Sequence, residues 1–115
     1  MVSASDLIER LAQTVLDGFR RAMPQDTALV LELAGVSPES WTVDRGVDEI
    51  RVYPRRHPQP DCRVSCRADD FVQLANGELH PETAFREGRV VIEGDVGLAI
   101  EMHRELAAGY SKSHG

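Results

Sequence analysis

The residues that could do chemistry are few, and their spacing matches no familiar catalytic pattern. Cys62 and Cys66 are four positions apart in a segment where apolar and polar residues alternate. In a strand this spacing separates them by roughly 13 Å, too far for a disulfide. His57 lies nearby in sequence, but the spacing matches no usual zinc motif. We therefore expect two small buried thiols, no metal site and no cofactor.

Three further polar residues would carry the chemistry if the protein were an enzyme. His103, Tyr53 and Glu101 could assist an isomerisation or cyclisation in a closed apolar chamber, as in secondary metabolism. The chain has no Ser-His-Asp order, no glycine-rich phosphate loop and no paired-carboxylate spacing. We name no catalytic residue, and a small enzyme or enzyme accessory remains an alternative.

Composition limits the classes of partner. The chain has 115 residues, of which 42% are hydrophobic, and a formal net charge of −6, so we expect one globular domain over residues 1–115. An acidic domain is a poor candidate for binding nucleic acid or anionic membranes. The one basic cluster, Arg55-Arg56-His57, lies between two prolines and indicates a solvated turn rather than a phosphate site. No apolar run reaches the ~20 residues of a membrane span, and the two cysteines favour a reducing cytoplasm.

The first element is an amphipathic helix. Apolar residues recur every three or four positions over 5–23, which predicts a leading helix within residues 1–24 that ends before Pro24. The residues of this stripe are Ile8, Leu11, Ala12, Val15, Phe19, Ala22 and Met23. A terminal helix with such a stripe is also the natural surface for a homodimer or for docking on a partner enzyme, which is a third hypothesis.

In the rest of the chain, apolar residues recur with the period of a strand in some segments and with that of a helix in others. Two-residue alternation predicts strands at 27–33, 40–44, 49–53, 62–68 and 89–93. The first three have links too short for parallel crossovers, so they form an antiparallel meander. Helices are predicted at 70–76 with Asp69 as N-cap, at 81–87 after His80, and from Asp95 to about 108, followed by a frayed tail at 109–115. This order indicates an α+β fold, with a five-stranded, mainly antiparallel sheet and helices packed on one face.

One segment carries a family pattern. Over 77–95, glycine, leucine, proline, an Ala-Phe pair, glycine, a basic residue and Gly-Asp follow one another at fixed spacing. The matching positions are Gly77, Leu79, Pro81, Ala84, Phe85, Gly88, Arg89, Ile92, Gly94 and Asp95. Together with residues 69–74, this segment resembles the signature of the sterol carrier protein 2 family, and the match extends over 61–106.

The resemblance implies a function. Family members hold sterols, fatty acids, fatty acyl-CoAs or other lipids in an apolar tunnel between the sheet and the helices. They act as carriers or present lipid to an enzyme, and the family domain has no catalytic residues. The chain ends in Ser113-His114-Gly115, unlike the peroxisomal Ser-Lys-Leu type of signal, which favours a cytoplasmic, bacterial protein.

These expectations give a set of candidate binding residues. We predict that a hydrophobic small molecule (sterol, fatty acyl or polyketide-like) binds among apolar residues of the second half of the chain. They are Phe71, Leu74, Leu79, Phe85, Val90, Ile92, Leu98, Met102 and Leu106. Trp41 is either a wall of the same pocket or the core anchor of the meander.

Overall fold

A computed structural model describes residues 4–114, without the side chains of residues 5, 11–13 and 112–114. Two members of the predicted stripe on the first helix, Leu11 and Ala12, therefore lie outside the described side chains. The helices are α1 (Ala4–Ala22), α2 (Ala68–Asn76), α3 (Pro81–Arg86) and α4 (Val96–His114). The strands are β1 (Thr27–Ala34), β2 (Glu39–Arg45), β3 (Ile50–Tyr53), β4 (Cys62–Arg67) and β5 (Val90–Gly94).

The five strands form one mixed sheet in the order β3-β2-β1-β4-β5. The meander of β1, β2 and β3 is antiparallel as predicted, and β5 runs antiparallel to β4. β4 pairs with β1 in parallel, with Leu31 opposite Val64. The sheet is therefore mainly, but not purely, antiparallel.

The segment between β3 and β4 crosses the face of the sheet opposite the helices, here called the outer face. The Thr42 hydroxyl donates to the Arg55 carbonyl at 2.6 Å and accepts from the His57 amide at 3.0 Å. Further along, the Asp61 amide donates to the Ala28 carbonyl at 2.8 Å. The crossover is therefore tied first to β2 and then to β1, and this path makes the β1–β4 pair parallel.

The opposite face, here called the inner face, meets all four helices. It carries alternate side chains such as Leu29 and Leu31 of β1, Val43 of β2 and Val64 of β4. Val15 and Phe19 of α1 are buried against this core. The described part of the stripe on α1 thus packs inside its own domain, and a role of this helix in a homodimer or in docking stays a prediction.

α4 is longer than the sequence predicts. It continues to His114, where a frayed tail was expected from residue 109. A side chain at Gly109 would collide with the Val15 side chain, so this glycine lets α4 pack closely on α1. Gly109 is buried and Tyr110 packs against the core. Contact with α1 therefore continues the helix beyond the point where its apolar periodicity fades.

Most of the predicted helix caps are present, and one is not. Asp95 accepts from the Leu98 amide at 3.0 Å, and His80 accepts from the Glu82 amide at 3.2 Å. Asp69 was predicted to cap α2, but α2 begins directly after β4 with Arg67 at the N-cap and no side-chain cap. The carboxylate that matters there is Asp70, which is buried and accepts from Arg89 at 2.7 Å.

Candidate functional site

An apolar cavity of about 160 Å³ lies between the inner face of the sheet and the helices. All five strands and all four helices contribute to its walls. The strand contributions are Leu29, Leu31, Trp41, Val43, Val52, Val64, Cys66, Val90 and Ile92. The helices add Ile8, Val15, Phe19, Phe71, Leu74, Pro81, Phe85, Ala99, Ile100, Met102, His103 and Leu106.

Seven of the nine predicted binding residues line this cavity. They are Phe71, Leu74, Phe85, Val90, Ile92, Met102 and Leu106. Leu79 and Leu98 are buried in the core but do not reach the cavity. That these side chains contact a ligand stays a prediction, because the geometry gives their position and not their occupant.

Sequence reasoning missed the walls contributed by the first half of the chain. The prediction was confined to the segment that carries the family pattern, whereas α1, β1, β2 and β3 supply much of the lining. The available signal was the alternation itself, because every second residue of β1 and β2 was already expected on one face. Trp41, left open between wall and anchor, is both buried and part of the cavity wall.

The cavity opens between α3 and α4. Phe85 on α3 and Ile100 on α4 line it and are about half exposed, at 53% and 49%. In the Ala-Phe pair, Ala84 is fully buried and lets α3 sit close to the core. The ring of Phe85 lies at the mouth, half in water.

Polar capacity within the cavity wall is confined to a few atoms. The indole N–H of Trp41 donates to the Glu39 carboxylate at 2.8 Å. The Nε2 of His103 lies 3.1 Å from the main-chain oxygen of Leu74. The other described wall side chains offer hydrocarbon, the Cys66 thiol and the Met102 thioether, so binding here would rest on burial of apolar surface.

The three residues considered for catalysis are not brought together. Tyr53 lies on the outer face, where its hydroxyl donates to Asp44 at 3.2 Å and Arg55 stacks on its ring. Burial, followed by the nearby Asp44 carboxylate, raises the pKa of Tyr53. Glu101 is exposed on α4 and pairs with Arg104. Of the three, only His103 lines the cavity.

The two cysteines are free and buried, as predicted. Cys66 lines the cavity. Cys62, four residues earlier on the same strand, does not line it. Burial raises the pKa of Cys62 to about 11 and that of Cys66 to about 12, and nearby aspartates add to both shifts. Both thiols are therefore neutral near pH 7, where they behave as small apolar groups. Among the described residues, no three His, Cys, Asp or Glu side chains cluster as a metal site would require.

The basic cluster at 55–57 belongs to the crossover on the outer face. Arg56 pairs with Glu32 at 3.2 Å, and Arg55 stacks on Tyr53 with its guanidinium 4.4 Å from the ring centre. Both arginines are exposed. These partners account for the cluster as a solvated turn, as the sequence indicated.

A comparison with family models identifies the fold's relatives. The model of the SCP-2 sterol transfer family matches residues 20–106, which covers β1 to β5 and most of the cavity wall. The chain belongs to this family.

None of the described helices has the length and apolar character needed to cross a membrane.

Individual members of the SCP2 family agree with this placement. Human sterol carrier protein 2 is 30% identical over 79 residues, which are 68% of this chain and 14% of the human protein. The chain therefore corresponds to about a seventh of the length of that relative.

Solved structures show the same fold at lower identity. Sterol carrier protein 2 from Yarrowia lipolytica, in its apo form, has a TM-score of 0.69 at 20% identity and covers 90% of this chain and 91% of that one. The palmitated SCP2L2 of Aedes aegypti has a TM-score of 0.69 at 21% identity, over 91% and 95%. Both support the mixed five-stranded sheet covered by helices.

Proposed function

We propose that this protein binds a lipid or another hydrophobic small molecule in the cavity between sheet and helices, and carries it or presents it to an enzyme. The observation that carries the proposal is the cavity itself. Apolar side chains from every described strand and helix line it, and together they leave a space of about 160 Å³ that none of them fills. An empty apolar cavity costs stability, and a bound ligand would restore the missing packing contacts.

Family membership supports the same function. The family model named for sterol transfer matches residues 20–106, the segment that builds β1 to β5 and their connections. A structure titled as palmitated has this fold, which supports an acyl chain as one candidate ligand. Presentation to an enzyme is supported by hydroxysteroid dehydrogenase-like protein 2 of Danio rerio, which is 35% identical over 81 residues that make up 20% of its own length.

We place this carrier in a reducing compartment, the cytoplasm. Its two cysteines are free and buried, and neither is positioned to pair with the other. Disulfides are rare in the cytosol, so unpaired thiols suit that compartment.

Native mass spectrometry of the purified protein tests the proposal. The protein is offered a panel of fatty acids, fatty alcohols, sterols and polyketide-like aromatics, and we expect at least one class to be retained at 1:1 stoichiometry. Retention of none of them contradicts the proposal.

A matched pair of variants locates the binding site. Val64→Phe places a ring in the cavity, and we expect it to weaken ligand binding at least tenfold. Val91→Phe adds the same ring on β5, where Val91 faces outward and is about half exposed, and we expect it to bind like the wild type. Equal binding by both variants would show that the ligand sits elsewhere.

A further inference from the structure

His103 differs from every other side chain that lines the cavity. Among the lining side chains that the structure describes, only His103 and Trp41 carry a strong hydrogen-bonding group, since Cys66 and Met102 add no more than a thiol and a thioether. Trp41 has a single N–H, which is already donated to Glu39. A thiol is a weak hydrogen-bonding group. The imidazole is therefore the one strong polar contact that this wall can offer to a ligand.

The hydrogen bond from His103 to α2 fixes which nitrogen carries the proton. The main-chain oxygen of Leu74 can only accept, so the Nε2 atom that lies 3.1 Å from it must be the donor. A neutral imidazole has one N–H, and here that N–H is used. The other ring nitrogen, Nδ1, is then a bare acceptor.

A bare acceptor selects among lipid head groups. A hydroxyl brings its own hydrogen and can donate to Nδ1. An ether or a carboxylate offers only lone pairs, which repel the lone pair of the ring nitrogen. The exposed Glu101 carboxylate on the same helix is paired with Arg104 at 2.8 Å, so this ion pair adds little net attraction for an anionic head group.

We propose that His103 is a specificity-determining residue that favours hydroxyl-bearing apolar ligands over carboxylates and ethers of the same chain length. This inference rests on the proposed function, since it concerns the head group of a molecule held in the same cavity. The position of His103 suits this role, because Ile100, one helical turn earlier on α4, lies at the half-exposed mouth. A ligand could thus place its chain inside and its hydroxyl near the opening.

The test compares three ligands that share a twelve-carbon chain. Dodecan-1-ol, dodecyl methyl ether and dodecanoate are titrated into the wild type and into His103→Phe. A neutral hydrogen bond contributes about 0.5–1.5 kcal/mol, which corresponds to roughly a 2- to 13-fold change in affinity. We expect the alcohol-to-ether affinity ratio to fall by this factor in His103→Phe. His103→Gln keeps both a donor for Leu74 and an acceptor for the ligand, so it should restore part of the ratio.

The outcomes separate this inference from the function on which it rests. If none of the three binds the wild type, the inference about His103 fails, whereas the lipid-binding proposal fails only if the full panel of fatty acids, fatty alcohols, sterols and aromatics is not retained either. If all three bind but the ratio is unchanged in His103→Phe, only the role of His103 is overturned. A wild type that prefers dodecanoate, and loses that preference in His103→Phe, would show that the ring acts as a cation instead.

A spectroscopic measurement on the wild type makes the test independent of variant folding. The chain has four histidines, so their ring nitrogens can be resolved by ¹⁵N-correlated NMR. In the free protein we expect the His103 signals of a ring protonated at Nε2 and bare at Nδ1. Dodecan-1-ol should shift the Nδ1 resonance and the ether should not. Equal shifts with both ligands, or none with either, would overturn the proposal.

Discussion

In the middle of the sheet, the burial of single side chains does not follow the thickness of the cover on each face. The inner face lies under four helices and many of its strand side chains are buried, yet Leu31, Val43 and Val64 beside the cavity are only partly buried. The outer face is covered by one proline-rich crossover and is more exposed as a whole, yet Val30 and Thr42 are both 0% exposed. Helices normally seal the sheet they pack on, so incomplete burial beneath them marks a packing deficit. The difference shows that the described side chains of the inner face do not fill the space beneath the helices.

The largest expected effect concerns the thiols of the inner face. Burial raises the pKa of Cys62 to about 11 and that of Cys66 to about 12, so the reactive thiolate is scarce at pH 8. We expect each to react with a disulfide reagent roughly a hundredfold or more slowly in the folded protein than in urea. The native rate should rise about tenfold per pH unit from pH 7 to pH 10, because the thiolate fraction is still small there.

Single-cysteine variants sharpen this experiment. Cys62→Ala reports Cys66, which lines the cavity, and Cys66→Ala reports Cys62, which does not. We expect a bound ligand to slow Cys66 more than Cys62. A native rate that levels off near pH 9, as for an ordinary thiol, would show that these groups are hydrated.

The next effect compares one valine on each face. Val30→Ala removes two methyl groups from a fully packed site on β1, and we expect a loss of about 2 kcal/mol in the free energy of unfolding. Val64→Ala makes the same change on the neighbouring strand β4, where the side chain already borders the cavity, so we expect about 0.5–1 kcal/mol. Urea denaturation measures both. Equal losses would mean that the inner face is packed as tightly as the outer face.

The smallest effect concerns the hydrogen bonds that hold the crossover on the outer face. Thr42→Val keeps the shape of the side chain but leaves the Arg55 carbonyl and the His57 amide without their partner, at a cost of about 1 kcal/mol. Thr27→Val is the control, because the Thr27 hydroxyl donates to Pro24 at an exposed site. We expect it to lie within about 0.5 kcal/mol of the wild type. If the Thr42→Val protein is as stable as this control, contacts other than the Thr42 hydrogen bonds hold the crossover on the outer face.

Much of the fold could be read from residues that act locally. Alternation located all five strands to within one or two residues, since side chains in a strand point to opposite faces. Gly77 and Gly88 were placed after short helices, and both have positive φ values. The failures were at sites decided by distant partners. Asp70 binds Arg89 from nineteen positions away, and α4 continues past Gly109 because α1 packs against it.

The sequence predicted binding residues only in the second half of the chain. The family pattern pointed to α2, α3, β5 and α4, and seven of the nine residues taken from there line the cavity. Leu79 and Leu98 have the same apolar character, but their backbone directs them into the core. No periodicity distinguishes a buried side chain that meets another side chain from one that meets a void, because both avoid water equally.

By itself, the sequence predicted an acidic α+β domain with a helix-covered sheet, because periodicity and turn residues act over a few positions. Its resemblance to the sterol carrier protein 2 signature predicted the family, which the family model confirms. The tertiary structure decided that β4 pairs with β1 in parallel and that α1 forms a wall of the cavity. It also decided that His103 reaches α2, with its Nε2 atom 3.1 Å from the main-chain oxygen of Leu74. These features join residues far apart in the chain, and only the path of the crossover and the close packing of α1 on α4 set the distances between them.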